Sequence, residues 1–170
     1  MKKILATAGT IAVLALSATS AQAAAPSAQA SATAKIYRPL QITKAQNLDF
    51  GVIVIAGSSF AAETVTVPAT GAVTCGSGTG NLTCGGAPTP AKFHLVGQNT
   101  ADVKVDSPGF NLGGAGTLAV TPLVTSQVVN LGATGDSTGV DVVLGASINV
   151  GSATVEGLYT GTWTVTADYQ

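Results

Sequence analysis

The chain has 170 residues, 46% hydrophobic and only 9% charged, with a formal net charge of −1. Scattered positive charge of this kind leaves no electrostatic footprint for nucleic acid, and a single histidine cannot build a multi-histidine zinc or copper centre. A monomer needs charged surface for solubility and to guard sheet edges, so the sparse charge predicts a surface that largely meets other chains.

Residues 1–23 carry the pattern of a signal peptide. Lys2 and Lys3 precede an apolar run from Ile4 to Leu16, and Ala21-Gln22-Ala23 supplies the small-x-small cleavage site. The run is too short for a permanent membrane anchor, so no span is expected after cleavage. The expected protein is exported, passing through the periplasm to the cell surface or the exterior. The 147 remaining residues suffice for one domain with a proper core, and they hold five cations against eight acids.

Residues 24–33 form an N-terminal extension rich in Ala, Ser and Gln. Ala28, Ala30, Ala32 and Ala34 alternate with Gln29, Ser31, Thr33 and Lys35, and the register continues into Ile36, Leu40 and Ile42. Two readings stay open. One is a flexible tail; the other is a donor strand that completes a neighbour's sheet, with Ala28, Ala30 and Ala32 as the inserted side chains.

From residue 34 onward short runs of Val, Ile and Thr alternate, separated by Gly, Ser, Asn and Asp. Strands are expected over 34–43, over 48–55 as a doubly covered strand, and over 63–67 with Val65 and Val67 inward. Further strands are expected over 92–96, 102–106 with Val103 and Val105 inward, 117–124, 140–144 and 146–150. Pro39 and Pro122 lie inside strand patterns and cannot donate ladder bonds, which predicts edges or bulges there. The Gly-rich stretches 75–86 and 109–116 read as loops. The G-x-G-x-G within the first is a weak phosphate-cradle candidate, since it neither follows a clear strand nor opens a helix. Cys75 and Cys84, an even pair in an exported chain, predict a disulfide staple.

No catalytic constellation emerges. His94 reads as a surface strand residue, and the chain lacks a G-x-S-x-G nucleophile elbow. Asp136 and Asp141 lack calcium-loop spacing and suit turns beside glycine. The expected protein is not an enzyme and needs no cofactor or metal.

The final fourteen residues, G-L-Y-T-G-T-W-T-V-T-A-D-Y-Q, are the most informative. Gly157, Tyr159, Gly161, Trp163, Val165, Ala167 and Tyr169 share one parity, and Leu158, the threonines and Asp168 share the other. Strand side chains alternate between faces, so one long strand with an aromatic-aliphatic face is expected, with no later segment to pair with it. Trp163 and Tyr159 share their face with Val165 and Ala167, which favours a core or groove over a sugar-stacking platform. Together these elements predict an all-β, immunoglobulin-like antiparallel β-sandwich over 34–170, either complete or lacking one strand.

Two motifs carry a resemblance: Thr43-Lys44-Ala45-Gln46-Asn47-Leu48-Asp49-Phe50-Gly51 and the ending from Gly157 to Tyr169. With them the chain resembles a bacterial exported family, domain of unknown function 4402, over roughly residues 30–170. More distantly it is similar to chaperone-usher and spore-coat-U-type pilins, which are incomplete immunoglobulin-like sandwiches. That resemblance implies a structural subunit of a surface fibre or coat, partnered by copies of itself or related subunits, a periplasmic chaperone and an outer-membrane usher. Gly157, Tyr159, Trp163, Val165 and Tyr169 would then line an acceptor groove. The alternative is a self-contained adhesin or matrix-binding module with a complete sheet; an exported hydrolase has no supporting residues.

Overall fold

The computed structural model describes residues 25–170. The signal-peptide expectation over 1–23 lies outside them. The described residues fall into two units, the first ending at Lys35 and the second spanning Ile36–Gln170. Described residues of the first unit, 25–35, form no helix or strand and are exposed.

The second unit is all-β, and every ladder in it is antiparallel. Its strands in chain order are β1 (Gln41–Gln46), β2 (Val52–Ile55), β3 (Glu63–Val67), β4 (Thr74–Cys75), β5 (Leu82–Gly85), β6 (Ala91–Val96) and β7 (Asp102–Asp106). There follow β8 (Phe110–Gly114), β9 (Thr117–Pro122), β10 (Ser126–Asn130), β11 (Val140–Leu144), β12 (Ala146–Val150), β13 (Tyr159–Thr160) and β14 (Thr166–Tyr169).

Two layers emerge from the pairings. In one, the order is β1-β6-β11, and β2 pairs with β5 as the continuation of the same two runs, joined by an Asp49–Thr89 bridge. In the other, β13-β8-β9-β12-β3-β4 continues into β10-β7-β14, because β7 and β8 are consecutive and so are β9 and β10. The layers meet through side chains of alternating parity. Phe93 and Leu95 of β6 share one buried cluster with Val103 and Val105 of β7. Val65 of β3 and Ile148 of β12 share another with Leu82 of β5. The chain passes between layers from β11 to β12 at Gly145, where a Cβ would lie 2.6 Å from the Val67 carbonyl oxygen. This is an arrangement consistent with a β-sandwich.

Several expectations need correction. The first strand begins at Gln41 rather than Ala34, and Ile36 is 90% exposed, off the face it was expected to share with Leu40 and Ile42. The 48–55 run is not doubly covered. Phe50 is buried, yet Val52 and Val54 are 60% and 52% exposed while Ile53 and Ile55 pack inward. Gly51 inverts the alternation: it sits at φ +72°, its N–H donates to Asp49 Oδ1 at 2.7 Å, and the Gly85 carbonyl leaves no room for a Cβ. Pro39 precedes β1. Pro122 ends an interior strand, between β8 and β12, and so marks neither an edge nor an isolated bulge. The stretch 109–116 holds β8 and the start of the β8–β9 hairpin; Gly113 and Gly114 hid it by interrupting the Phe110, Leu112 alternation.

Candidate functional site

The C-terminal segment keeps the predicted alternation at its side-chain-bearing positions, while Gly157 and Gly161, expected on the inward face, are exposed. Tyr159, Trp163, Val165, Ala167 and Tyr169 are half-buried, and the residues between them are exposed. It is not one continuous strand, however. Tyr159–Thr160 pairs with β8 and Thr166–Tyr169 with β7, and the pairing slips by one residue between the two stretches. Residues 161–165 carry no ladder, and Gly161 lies close against the Asn111 carbonyl.

The whole segment therefore runs along one neighbour, the β7–β8 run. On its other side no strand pairs with it among the described residues. The β1–β2 run has the same condition, since β1 pairs only with β6 and β2 only with β5. Tyr169 shows that these two unpaired edges lie on one flank. Its hydroxyl accepts from the Gln98 N–H at 2.7 Å and donates to the Arg38 carbonyl at 2.8 Å, just before β1. Tyr37 stacks on its ring with centroids 4.6 Å apart.

Half-burial is confined to inward positions on this flank. Leu40 and Ile42 on one side, and Val165, Ala167 and Tyr169 on the other, pack against the cluster built on Phe93 and Val103 but stay partly open. Val103, Val105 and Leu95, one strand further in, are 0–1% exposed. Trp163 joins the two clusters. It stacks on Phe110 at 5.4 Å, meets Phe93 edge-on at 6.4 Å, and donates its indole N–H to the Pro108 carbonyl at 3.0 Å. Phe110 was hidden in the stretch read as a loop, though its parity with Leu112 was a usable signal.

The remaining predicted residues fall as follows. Gly157 adopts φ +142°, and a Cβ there would meet Ala115 Cβ at 2.6 Å, so close approach requires glycine. Tyr159 stands apart from the Trp163–Tyr169 strip: its hydroxyl donates to the Val155 carbonyl at 2.7 Å, and its ring borders a shallow hollow with Phe60, Leu118 and Asn149. Ala28, Ala30 and Ala32 are exposed in the first unit. Cys75 and Cys84 form a disulfide with Cα atoms 5.8 Å apart. The bridge ties β4 to β5, hence one layer to the other, at the opposite end of the sheet from β13.

One ion pair, Arg38 with Asp136 at 3.6 Å, lies at the end of the flank beside Tyr169, and the others lie on β6, β7 and β11. His94 Nδ1 lies 2.7 Å from Asp141 Oδ1, and this hydrogen bond, with help from Lys92, lowers the Asp141 pKa. A hydrogen bond from Lys104 likewise lowers that of Asp106. Among the described residues no group of three His, Cys, Asp or Glu side chains is placed to hold a metal, and no helix is long and apolar enough to cross a membrane.

Fold and flank together define an all-β, disulfide-stapled domain of antiparallel sheets in which, among the described residues, the β13–β14 and β1–β2 runs, like β4, β10 and β11, each have a single paired neighbour. A family model described as a domain of unknown function (DUF4402) matches residues 40–169, and the chain belongs to that family. No curated protein and no solved structure matches it.

Proposed function

We propose that the protein is a non-enzymatic, exported structural subunit of a surface fibre or coat, assembled by β-augmentation. In this reading the domain is an immunoglobulin-like sandwich short of one strand. The N-terminal arm of a neighbouring copy or related subunit lies along the unpaired flank, with Ala28, Ala30 and Ala32 turned toward Trp163, Val165 and Tyr169. The observation that carries the reading is the C-terminal segment: an apolar inward face, half-buried, on a run with a single paired neighbour.

Physical chemistry supports it in three ways. An unpaired edge with uncovered apolar side chains is a template for strand addition and is hazardous unless covered. Inward positions of the C-terminal segment carry no charge to discourage pairing, and on the β1 side the one charge in register with the core is Lys44, opposite Phe93. The arm also has the reach, since the twelve residues 25–36 span about 40 Å when extended, comparable to the 159–169 run. A strand donated head to tail gives a contact that does not close and therefore grows a filament. Before assembly a periplasmic chaperone would cover the flank, and an outer-membrane usher would exchange it for the arm. Tyr159 would line the far end of the acceptor, beside Gly157.

Deletion of residues 24–33 tests this. The truncated chain is expected to fold as a monomer that no longer assembles but still accepts an arm peptide. Assembly unchanged by the deletion would remove the donor-arm mechanism, and a full-length chain that stays monomeric and thermally stable would favour the self-contained binding module.

A further inference from the structure

The Gly-rich loop closed by the disulfide has an order that the assembly mechanism does not use. Gly76, Gly78 and Gly80 all adopt positive φ, at +60°, +77° and +81°. These left-handed bends favour glycine. Ser77, Thr79 and Asn81 lie between and after them, and all three donate to one carboxylate, that of Glu63 at the start of β3. The Ser77 N–H reaches Oε2 at 2.8 Å, while Thr79 Oγ1 and Asn81 Nδ2 each reach Oε1 at 2.7 Å. Gly76 lies so close to Oε2 that a Cβ would collide with it, and its N–H is held by the Thr64 carbonyl at 3.1 Å. Asn81 is anchored beyond the loop as well, its carbonyl accepting from Ala56 N–H at 2.8 Å. The G-x-G-x-G is thus an anion cradle, and its anion belongs to the chain itself.

We propose that Glu63 is the template on which this loop folds, and that it brings the Cys75 and Cys84 thiols together before they are oxidised. Pairing places Cys75 opposite Val65 on β3 and Cys84 opposite Ile53 on β2, in different layers. The six residues from Gly76 to Asn81 must bring these ends together. Three donors converging on one carboxylate restrict the open loop, which raises the effective concentration of one thiol at the other. The Glu63 pKa, lowered to about 2 chiefly by the Asn81 hydrogen bond, agrees with a carboxylate that stays ionised in the cradle. Oxidation then follows ordinary exchange with a low-molecular-weight disulfide. One cysteine thiolate attacks it and releases one thiol, and the second cysteine displaces the other. The two protein thiols lose two electrons and two protons, and the small disulfide is reduced to two thiols.

The test equilibrates the full mature chain with reduced and oxidised glutathione under native conditions, followed by acid trapping and mass measurement. Glu63→Ala is expected to lower the effective thiol concentration about tenfold, as the loss of several hydrogen bonds implies. Asn81→Ala and Thr79→Val, which leave β3 untouched, should each lower it by a smaller factor, and Glu63→Gln should retain part of the effect. A thermal-melting comparison made on a Cys75→Ser/Cys84→Ser background separates templating from general stability. A thiol–disulfide equilibrium unchanged in all four variants, whatever their melting temperatures, would overturn the proposal.

Discussion

Replacing Trp163 with alanine probes the join between the two core clusters. A fully enclosed tryptophan buries about 200 Å². Half of that area at about 25 cal/mol per Å² corresponds to roughly 2–3 kcal/mol. Loss of the hydrogen bond to the Pro108 carbonyl adds less than about 1 kcal/mol, because the bond is exposed. The ring pairs with Phe110 and Phe93 partly overlap the area term. The expected cost is therefore about 3 kcal/mol, smaller than the truncation of a fully buried aromatic. Trp163 is the only tryptophan, so urea unfolding of the variant is followed by far-ultraviolet circular dichroism, and the midpoint should fall by about 1–2 M. Leu158→Ala, at a position 79% exposed, is the control and should change stability by less than about 0.5 kcal/mol. A Trp163→Ala cost below about 1 kcal/mol would refute the view that this residue couples the clusters.

Other outcomes follow from the same geometry. Tyr169→Phe keeps the stack on Tyr37 but strips the partner from the part-buried Gln98 N–H; chemical denaturation should show a loss of about 1–2 kcal/mol. Gly51→Ala must adopt φ +72° against the Gly85 carbonyl, and a loss of at least about 2 kcal/mol is expected in the same assay. The Cys75→Ser/Cys84→Ser variant should lose roughly 2–3 kcal/mol for so short a closed loop. Glu63 has a folded pKa of about 2 against an ordinary 4.5. A depressed pKa contributes stability that is complete above the unfolded value and lost as pH falls through the folded one, so wild type should weaken between about pH 4.5 and 2. Glu63→Gln should lack that part of the acid dependence.

Where each residue type had one obvious environment, the fold was legible from sequence. β3, β7 and β12 have the expected boundaries because apolar residues alternate there with polar ones, β11 has them as a short Val-rich run between glycines, and the disulfide followed from an even cysteine pair. The alternation of the last residues carried the candidate flank. Glycine accounts for most of what was hidden. Gly51 inverts parity, so Val52 and Val54 emerged exposed, and Gly113 and Gly114 disguised β8 and with it the Phe110 partner of Trp163. The interruption at 161–165 depends on a register slip against the β7–β8 run, which no pattern within one strand encodes. Ile36 continued an alternation that ended before β1, because periodicity cannot show where pairing partners stop. Likewise the carboxylate filling the G-x-G-x-G loop lies before it in the chain, and only the β3–β4 pairing brings the two together.

Amide hydrogen exchange at the C-terminal strand addresses strand addition most directly. The Gln170 N–H bonds to the Asp102 carbonyl, so by antiparallel alternation the N–H groups of Ala167 and Tyr169 point away from β7 toward the unpaired edge. In the chain lacking residues 24–33 these two amides should exchange rapidly, and in the full-length assembly they should be strongly protected. Rapid exchange at Ala167 and Tyr169 in the assembled protein would contradict the account.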